Sequence, residues 1–262
     1  MASISTLTTD FGTQDTYVGV MKGTIAHINP SATIIDLTHH ILPQDIGAAQ
    51  FALMNAYPYF PTGTVHVVVV DPGVGTARRA IAVQLPQGYL VGPDNGVLSG
   101  VLTLEGAIAA VALTNPHYWR TPQPSPTFHG RDIFAPVAAH LAAGVPLAAL
   151  GEAITIASLA TLAWPAPTIT ATAITGHIQA IDHFGNLITT IPAAAIRRQN
   201  WVAQVGGVPI PAHLTYGDVP MGQPLLLVGS HGWVEVAVNG GSAQQHLRLQ
   251  VGDVVTLHCP HS

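Results

Sequence analysis

Four consecutive valines, Val67 to Val70, followed at once by Asp71-Pro72-Gly73, constrain the fold of this chain more than any other stretch. A short, wholly apolar run bounded by breakers is the pattern of a strand buried on both faces, as in the middle of an α/β sheet. Pro72 has no N–H for a sheet ladder, and Gly73 admits backbone angles that other residues avoid. The strand therefore ends in an acid, Asp71. Gly75 keeps the following loop open, and Arg78 and Arg79 close it. Open α/β sheets bind ligands outside the carboxyl ends of their strands. An acid and a guanidinium in that place are candidates for chemistry, although an ion-paired turn would read the same way.

The motif of an acid after a strand occurs upstream as well. Ser3 to Thr9 alternates and is rich in Thr and Ile, so it reads as a first strand, ending in Thr8-Thr9-Asp10-Phe11-Gly12. Tyr17 to Ile28 has helical spacing and stops at Asn29-Pro30. Thr33 to Leu37 is a second strand, followed by Thr38-His39-His40, and Asp45 opens a helix running to about Tyr57. Ile81 to Leu85 and Tyr89 to Val91 form a hairpin around Pro86-Gln87-Gly88. A polar turn, Gly92 to Gly96, and a short helix, Val97 to Leu104, come next. The proline-rich loop Pro116 to Pro126 delivers Thr127-Phe128-His129-Gly130-Arg131-Asp132, after which a helix starts.

The composition then shifts. Thr161 to Thr170 carries two prolines and no charge, as a linker would. Beyond it helical spacing vanishes. Ala173 to Asp182, Leu187 to Ile191, Val202 to Ile210, Pro224 to Val228, Trp233 to Asn239 and Val254 to Cys259 read as short strands between Gly, Asn and Pro turns. The expected architecture is an N-terminal α/β domain over residues 1–160 with a central, mostly parallel sheet. A linker over 161–170 and a smaller all-β, barrel-like domain over 171–262 follow.

Composition narrows the function classes. Of 262 residues only 8% are charged, against about 25% in an average soluble chain. A surface so poor in charge is easy to desolvate, which points to burial in an oligomer. The formal net charge is −5 and no Lys/Arg cluster forms a nucleic-acid footprint. The single cysteine, Cys259, excludes an internal disulfide and fits a reducing compartment. The N-terminus lacks a signal-peptide pattern. The most apolar stretch, Phe134 to Pro167, is broken by Pro136, His140, Gly144, Pro146, Gly151 and Glu152. It falls short of the roughly 18 uninterrupted apolar residues of a membrane span. The expected location is the cytoplasm.

Four polar clusters stand at strand ends or loops of the first domain: Asp10; His39 with His40; Asp71 with Arg78; and His129 with Arg131 and Asp132. Strand ends on one edge of a parallel sheet converge. Asp and His are common metal ligands, but HExxH, CxxC and close carboxylate pairs are lacking, and adjacent His39 and His40 would point to opposite faces of a strand. The loop Gly73-Val74-Gly75-Thr76 lacks the lysine and the spacing of a phosphate cradle. General acid–base chemistry is the third possibility: neutral His129 accepts a proton near physiological pH, whereas Arg78 stays protonated and only donates. His129 capping the next helix or satisfying a buried carbonyl is the plainer account of the residues alone. In the second domain, Asp182-His183-Phe184-Gly185-Asn186 joins an acid, an aromatic ring and an amide, and Ser230-His231-Gly232-Trp233 precedes Asn239-Gly240-Gly241-Ser242. Such groups suit an adenosyl amino acid, and they also suit two hairpin turns.

Taken together, TTDFG from Thr8, VVDPGVGTARR from Val69, TFHGRD from Thr127, IDHFGN from Ile181 and the late Ser230-to-Gly240 segment resemble the S-adenosyl-L-methionine hydroxide adenosyltransferases, relatives of the S-adenosylmethionine-dependent fluorinase and chlorinase. The motifs lie along nearly the whole chain and in family order. The resemblance implies an α/β domain, a β-barrel-like domain and a homotrimer with active sites at subunit interfaces. It also implies a reaction in which water or hydroxide attacks the ribose 5′ carbon of S-adenosyl-L-methionine, giving adenosine and L-methionine with no metal and no cofactor. On this chain the family's catalytic acid, arginine and histidine fall on Asp71, Arg78 and His129. Asp10 matches the acid that holds the ribose hydroxyls, and Phe11 and Phe128 are counted with it as substrate-binding. Asp182 and Ser230 match residues for the methionine amino and carboxylate groups. Phe184 and Asn186 match the adenine-site aromatic and amide, completed by the backbone near Asn239 and Gly240. Where halogenases carry a tyrosine, a threonine and a serine, this chain has Asp71, Val74 and Gly130, which favours water over halide as nucleophile. Their arginine after Ser230 is His231 here, a departure at the carboxylate-binding end. A halogenase forming 5′-chloroadenosine and a non-catalytic sensor of the same ligand are the alternatives. If Arg78 pairs with Asp71, His129 is favoured as the base.

Overall fold

The computed structural model describes residues 3–196, 201–205 and 208–258, and divides into two compact units, Met1–Ala163 and Trp164–Ser262. Cys259 lies outside the described residues. Among them, no helix is long and apolar enough to cross a membrane.

The first unit is built on a seven-stranded sheet of β1 (Ile4–Thr9), β2 (Thr33–Thr38), β3 (Thr64–Val69), β4 (Ala80–Gln84), β5 (Gly88–Pro93), β6 (Ala109–Ala112) and β7 (Glu152–Ala153), in the order β2-β1-β3-β5-β4-β6-β7. Strands β2, β1, β3 and β5 pair in parallel, while β4 is antiparallel to β5 and to β6, and β7 is antiparallel to β6. Five strands therefore run one way, with β4 and β7 opposed. The carboxyl ends of β1, β2, β3 and β5 share one edge, and their last residues lead into Asp10, His39, Asp71 and Asp94.

The valine run explains why β3 is central. All six of its residues are buried. Alternate side chains of a strand face opposite ways, so Val67 and Val69 enter one core with Leu7, Met21, Ile25 and Val137, while Val68 and Val70 enter the other with Leu53, Leu90 and Val101. The first core is covered by helices α1 (Tyr17–Ile28) and α4 (Ala135–Ala142), the second by α2 (Ile46–Ala56) and α3 (Ser99–Leu104). Each fully buried valine contributes about 1.5–3 kcal/mol, so the run stabilises both layers at once. Helix α1 ends before Pro30 as its sequence requires, and α2 is capped by Asp45, whose carboxylate accepts the Ala48 N–H at 2.9 Å. Strand β6 lies in a stretch, Gly106 to Ala112, that small alanines left without a period to read.

The second unit holds β8 (Thr168–Ile169), β9 (Ala173–Ile181), β10 (Leu187–Pro192), β11 (Val202–Val205), β12 (Val208–Pro211), β13 (Pro224–Val228), β14 (Trp233–Val238) and β15 (Val254–His258), with a short helix, α5 (Ala243–Leu247), between β14 and β15. The path β12-β11-β15-β9-β10-β14-β13 is antiparallel throughout, and β8 pairs with β9. A bridge between Ala212 and Leu226 joins its two ends, which nearly closes a barrel. The segment Val202 to Ile210, expected as one strand, is instead two: Val205 pairs with Val208, and Gly206-Gly207, outside the described residues, falls between them. A two-glycine insert is a hairpin signal that the flanking apolar residues had masked.

Candidate active site

Asp71, Arg78 and His129 meet in the first unit. The Arg78 Nε donates to Asp71 Oδ1 at 2.9 Å and to Oδ2 at 3.0 Å, and Nη2 donates to Oδ2 as well. The same Nη2 lies 2.8 Å from His129 Nδ1. Arg78 and Asp71 are nearly buried, with side chains 11% and 5% exposed. The guanidinium also sits over the ring of Phe134, 5.2 Å from its centroid. Burial first, then the neighbouring Arg78 charge, lowers the His129 pKa below its ordinary value, against opposing pulls from Asp71 and Asp132. Arg79, by contrast, turns away to Asp94 and Ser158.

Two local features bring His129 to the strand end. The loop after β3 lies against the chain before Phe128, and a Cβ at Gly75, whose φ is +75°, would come within 2.1 Å of the Pro126 carbonyl. Only glycine permits that approach. His129 then stands at the start of a π-helical turn, Gly130–Phe134, that runs into α4. Such turns are frequent at functional sites. The turn is clamped by fully buried Asp132, which accepts from Arg120 Nε at 2.5 Å, from Arg131 Nε and Nη2 at 2.7 Å each, and from the Ser125 N–H at 2.9 Å. Burial alone would raise the Asp132 pKa; the hydrogen bonds from Arg131, Arg120 and Ser125 outweigh it and hold the group well below the carboxylate range.

Asp71 and His129 border a cavity of about 410 Å³ lined also by Asp10, Phe11, Tyr17, Pro43, Gln44, Val69, Pro72, Val74, Thr127, Phe128 and Gly130. Asp10, Phe11 and Phe128 are thus brought together with Asp71 and His129. The Asp10 Oδ2 accepts the N–H of Gln44 at 2.8 Å, and Gln44 holds a left-handed φ of 69° to offer it. A non-glycine residue in that region is strained by roughly 1–2 kcal/mol. Its side chain was not legible as a site residue, nor was that of Tyr17. His39 and His40 part as expected for neighbours: His40 is exposed, whereas buried His39 bonds Thr9 Oγ1 through Nδ1 at 2.8 Å and braces the β1 loop through its carbonyl, which accepts the Gly12 N–H at 2.7 Å. Among the described residues no group of three or more His, Cys, Asp or Glu side chains is arranged to hold a metal ion.

In the second unit a cavity of about 480 Å³ is lined by Phe184, Asn186, Tyr216, Val238, Gly240 and Gly241. It joins Phe184, Asn186 and Gly240, but not Asp182, Ser230 or Asn239. The Asp182 carboxylate closes its own turn, accepting the N–H groups of Phe184 at 3.0 Å and Asn186 at 2.8 Å, and the Asn186 side-chain amide at 2.9 Å. Ser230 is exposed in the β13–β14 turn, and Asn239 donates to the Val219 carbonyl. Tyr216 was missed by sequence reasoning. Its hydroxyl donates to buried Glu235 at 2.6 Å, and the other Glu235 oxygen lies 3.0 Å from His231 Nε2. Burial, then the bond to Glu235, raises the Tyr216 pKa.

An acid after a parallel strand, an arginine on the loop that follows it and a histidine at the start of a π-helical turn, with an antiparallel barrel-like unit further along the chain, make this an α/β protein with its candidate site at the carboxyl edge of the first sheet. Residues 5–151 match the SAM hydroxide adenosyltransferase N-terminal domain and residues 176–256 the C-terminal domain. The chain belongs to this family. It is 42% identical over 258 residues to the (R)-S-adenosyl-L-methionine hydrolase of Thermus thermophilus, covering 95% of this chain and 96% of that one. It is 44% identical over 247 residues to the enzyme of the same name from Salinispora arenicola, covering 94% of each. A fluorinase from Actinoplanes sp. is 30% identical over 283 residues and 95% of each chain. The crystal structure of an uncharacterized conserved protein from Thermotoga maritima superposes with a TM-score of 0.91 at 39% identity, covering 98% of this chain and 100% of that one.

Proposed function

We propose that this chain hydrolyses (R)-S-adenosyl-L-methionine to adenosine and L-methionine, by in-line attack of water on the ribose 5′ carbon. The observation that carries the assignment to particular residues is the contact of Arg78 with both Asp71 and His129 at the wall of the first-unit cavity. A guanidinium only donates, so the His129 Nδ1 is the acceptor and the neutral ring carries its proton on Nε2. His129, expected as the base once Arg78 paired with Asp71, then offers a water a donor instead, because the same guanidinium also occupies its Nδ1. The basic group left in the cluster is the Asp71 carboxylate, whose oxygens keep lone pairs beyond those engaged by Arg78. In the reaction His129 holds the water oxygen, Asp71 receives one water proton as the carbon–oxygen bond forms, and the carbon–sulfur pair leaves with methionine. The released proton passes from Asp71 to solvent. The leaving thioether is neutral, so the step calls for no general acid, metal or cofactor. Fixing one water in line with the breaking carbon–sulfur bond supplies several kcal/mol of the barrier.

Asp10 suits the ribose hydroxyls, with Gln44 holding it in place. Phe184, Asn186 and Gly240, which share the second-unit cavity, suit the adenine, while the assignment of Asp182 and Ser230 to the methionine end rests on the family resemblance alone. The family resemblance and the low charge of the chain support a cytoplasmic homotrimer with active sites at subunit interfaces. The deciding experiment incubates the protein with the substrate in oxygen-labelled water, with and without chloride. Label in the adenosine 5′ hydroxyl is expected; 5′-chloroadenosine, or unchanged substrate, would overturn the proposal.

A further inference from the structure

The rings of Phe11, Tyr17 and Phe128 form a mutually packed cluster that neither the water-holding group nor the ribose acid accounts for. Phe11 and Tyr17 lie 5.7 Å apart, Phe11 and Phe128 5.8 Å, and Tyr17 and Phe128 5.1 Å, the last two pairs edge to face. All three line the same cavity as Asp71 and His129. They come from three separate places: the loop after β1, the first turn of α1, and the segment before the π turn. Gly130 lies beneath two of them, Phe11 and Phe128. A Cβ there would approach Met21 Sδ and Phe128 Cε2 to 3.2 Å each and Phe11 Cε2 to 3.4 Å, so the rings pack down onto a bare backbone. One face of Phe128 is already taken by the Arg131 guanidinium at 5.2 Å, while Tyr17 remains 48% exposed.

We propose that Phe11, Tyr17 and Phe128 are the specificity-determining wall that receives the sulfonium methyl group and thereby selects the configuration at sulfur. The inference rests on the function proposed above and deepens it. A sulfonium carries three different carbon arms and a lone pair. In-line attack fixes the sulfur–C5′ arm along the line from the water held at Asp71 and His129. The methyl and the methionine chain then occupy two remaining positions, and exchanging them gives the other epimer. Only a protein surface that differs between those positions distinguishes the two. The ring cluster is apolar and its faces are electron-rich, so it favours a small group bearing part of the sulfonium charge. It disfavours an arm ending in an ammonium and a carboxylate, which would be desolvated there without partners.

The test compares the two separated sulfonium epimers as substrates of the full chain and of Tyr17→Ala, Tyr17→Phe and Phe11→Leu variants, with adenosine release as readout. Titration of each epimer gives the binding ratio independently of turnover. Wild-type protein is expected to prefer the (R) epimer. Tyr17→Ala should lower the ratio of kcat/KM between epimers at least tenfold, Tyr17→Phe should preserve it, and affinity for adenosine, which has no sulfonium, should stay within twofold. Phe11→Leu is read by the same criterion and decides the matter if Tyr17→Ala does not fold. A ratio unmoved in the folded variants, or both epimers weakened equally, overturns the wall. Should wild-type protein form no adenosine from either epimer, the hydrolase reading fails, and the binding ratios still judge the wall.

Discussion

Arg78 Nη2 lies 2.8 Å from His129 Nδ1 while the same guanidinium clasps Asp71. One rigid fork thereby fixes both the tautomer of the histidine and the direction of the carboxylate. A lysine, with a single ammonium on a flexible stem, cannot hold two partners at these angles. Arg78→Lys should therefore lower kcat by about 10²-fold or more, since misplacement of a reacting group by 1 Å is of that weight. The KM should change far less. Steady-state kinetics on the variant check this, and a loss confined to KM would place Arg78 in binding alone.

The His129 contact also sets a pH dependence. Protonating Nδ1 removes the acceptor and puts a second cation against Arg78. Burial and the Arg78 charge lower the His129 pKa, so the ring stays neutral until the pH falls below its ordinary value of about 6.5. The acid limb of kcat/KM should have its midpoint below that value. A midpoint above it would mean that the ring is more basic than its burial beside Arg78 allows, and activity lost as the pH rises through this range would mean that a charged ring does the work.

Asp132 never touches the cavity, yet it anchors the turn that carries His129. Its carboxylate serves Arg120, Arg131 and the Ser125 N–H from a fully buried position. Asp132→Ala should destabilise the protein by about 2–3 kcal/mol and reduce kcat. Asp132→Asn, which keeps the shape and one acceptor, should recover part of both. Denaturant unfolding and kinetics on the pair separate these effects.

Gly75 is the point where the β3 loop touches the backbone before Phe128. Alanine there adds roughly 1–2 kcal/mol of left-handed strain and a collision with the Pro126 carbonyl. Gly75→Ala should lower both the unfolding midpoint and kcat, because relieving the collision shifts the loop that carries Arg78 against the segment that carries His129. Full activity in this variant would show that the two loops need not be in register.

His66 makes stability itself depend on pH. It is buried in β3 with Nδ1 2.9 Å from Thr6 Oγ1, and burial lowers its pKa to about 4. The unfolded chain takes up the proton first, near pH 6.5. Stability is therefore full above that pH and is lost as the pH falls toward 4, by about 3 kcal/mol in all. Urea unfolding across this window should show the loss, and His66→Leu should abolish that component.

How much was legible in the chain follows from the range over which each signal acts. The valine run, the acids at strand ends and the Asn29-Pro30 stop are local, and the elements they announce stand where they fall. The meeting of Asp71, Arg78 and His129 was accessible because each is a chemical type with a motif around it. Tyr17 and Gln44 were not. A tyrosine at the first turn of a helix reads as one more amphipathic residue, and the φ of Gln44 is imposed by a hydrogen bond to Asp10, 34 residues away. Tyr216, in a short turn, likewise gains its partner from Glu235 on β14, 19 residues away. The missed hairpin in Val202 to Ile210 and the missed strand β6 arose where apolar or alanine-rich sequence carries no contrast between faces.

The near-closure of the second sheet bears on a hazard of another kind. A strand edge left open is a template for adding a stranger's strand, and proteins commonly deter this with charge. This chain has little charge to use, 8% of its residues. It deters with topology instead. The first sheet stops on one side at β7, only two residues long, and on the other at β2, where Asp36 is paired with Lys22. In the second, the Ala212–Leu226 bridge ties the first strand of the path to the last. That modest seam leaves neither terminal strand of a sparsely charged barrel as a long open edge.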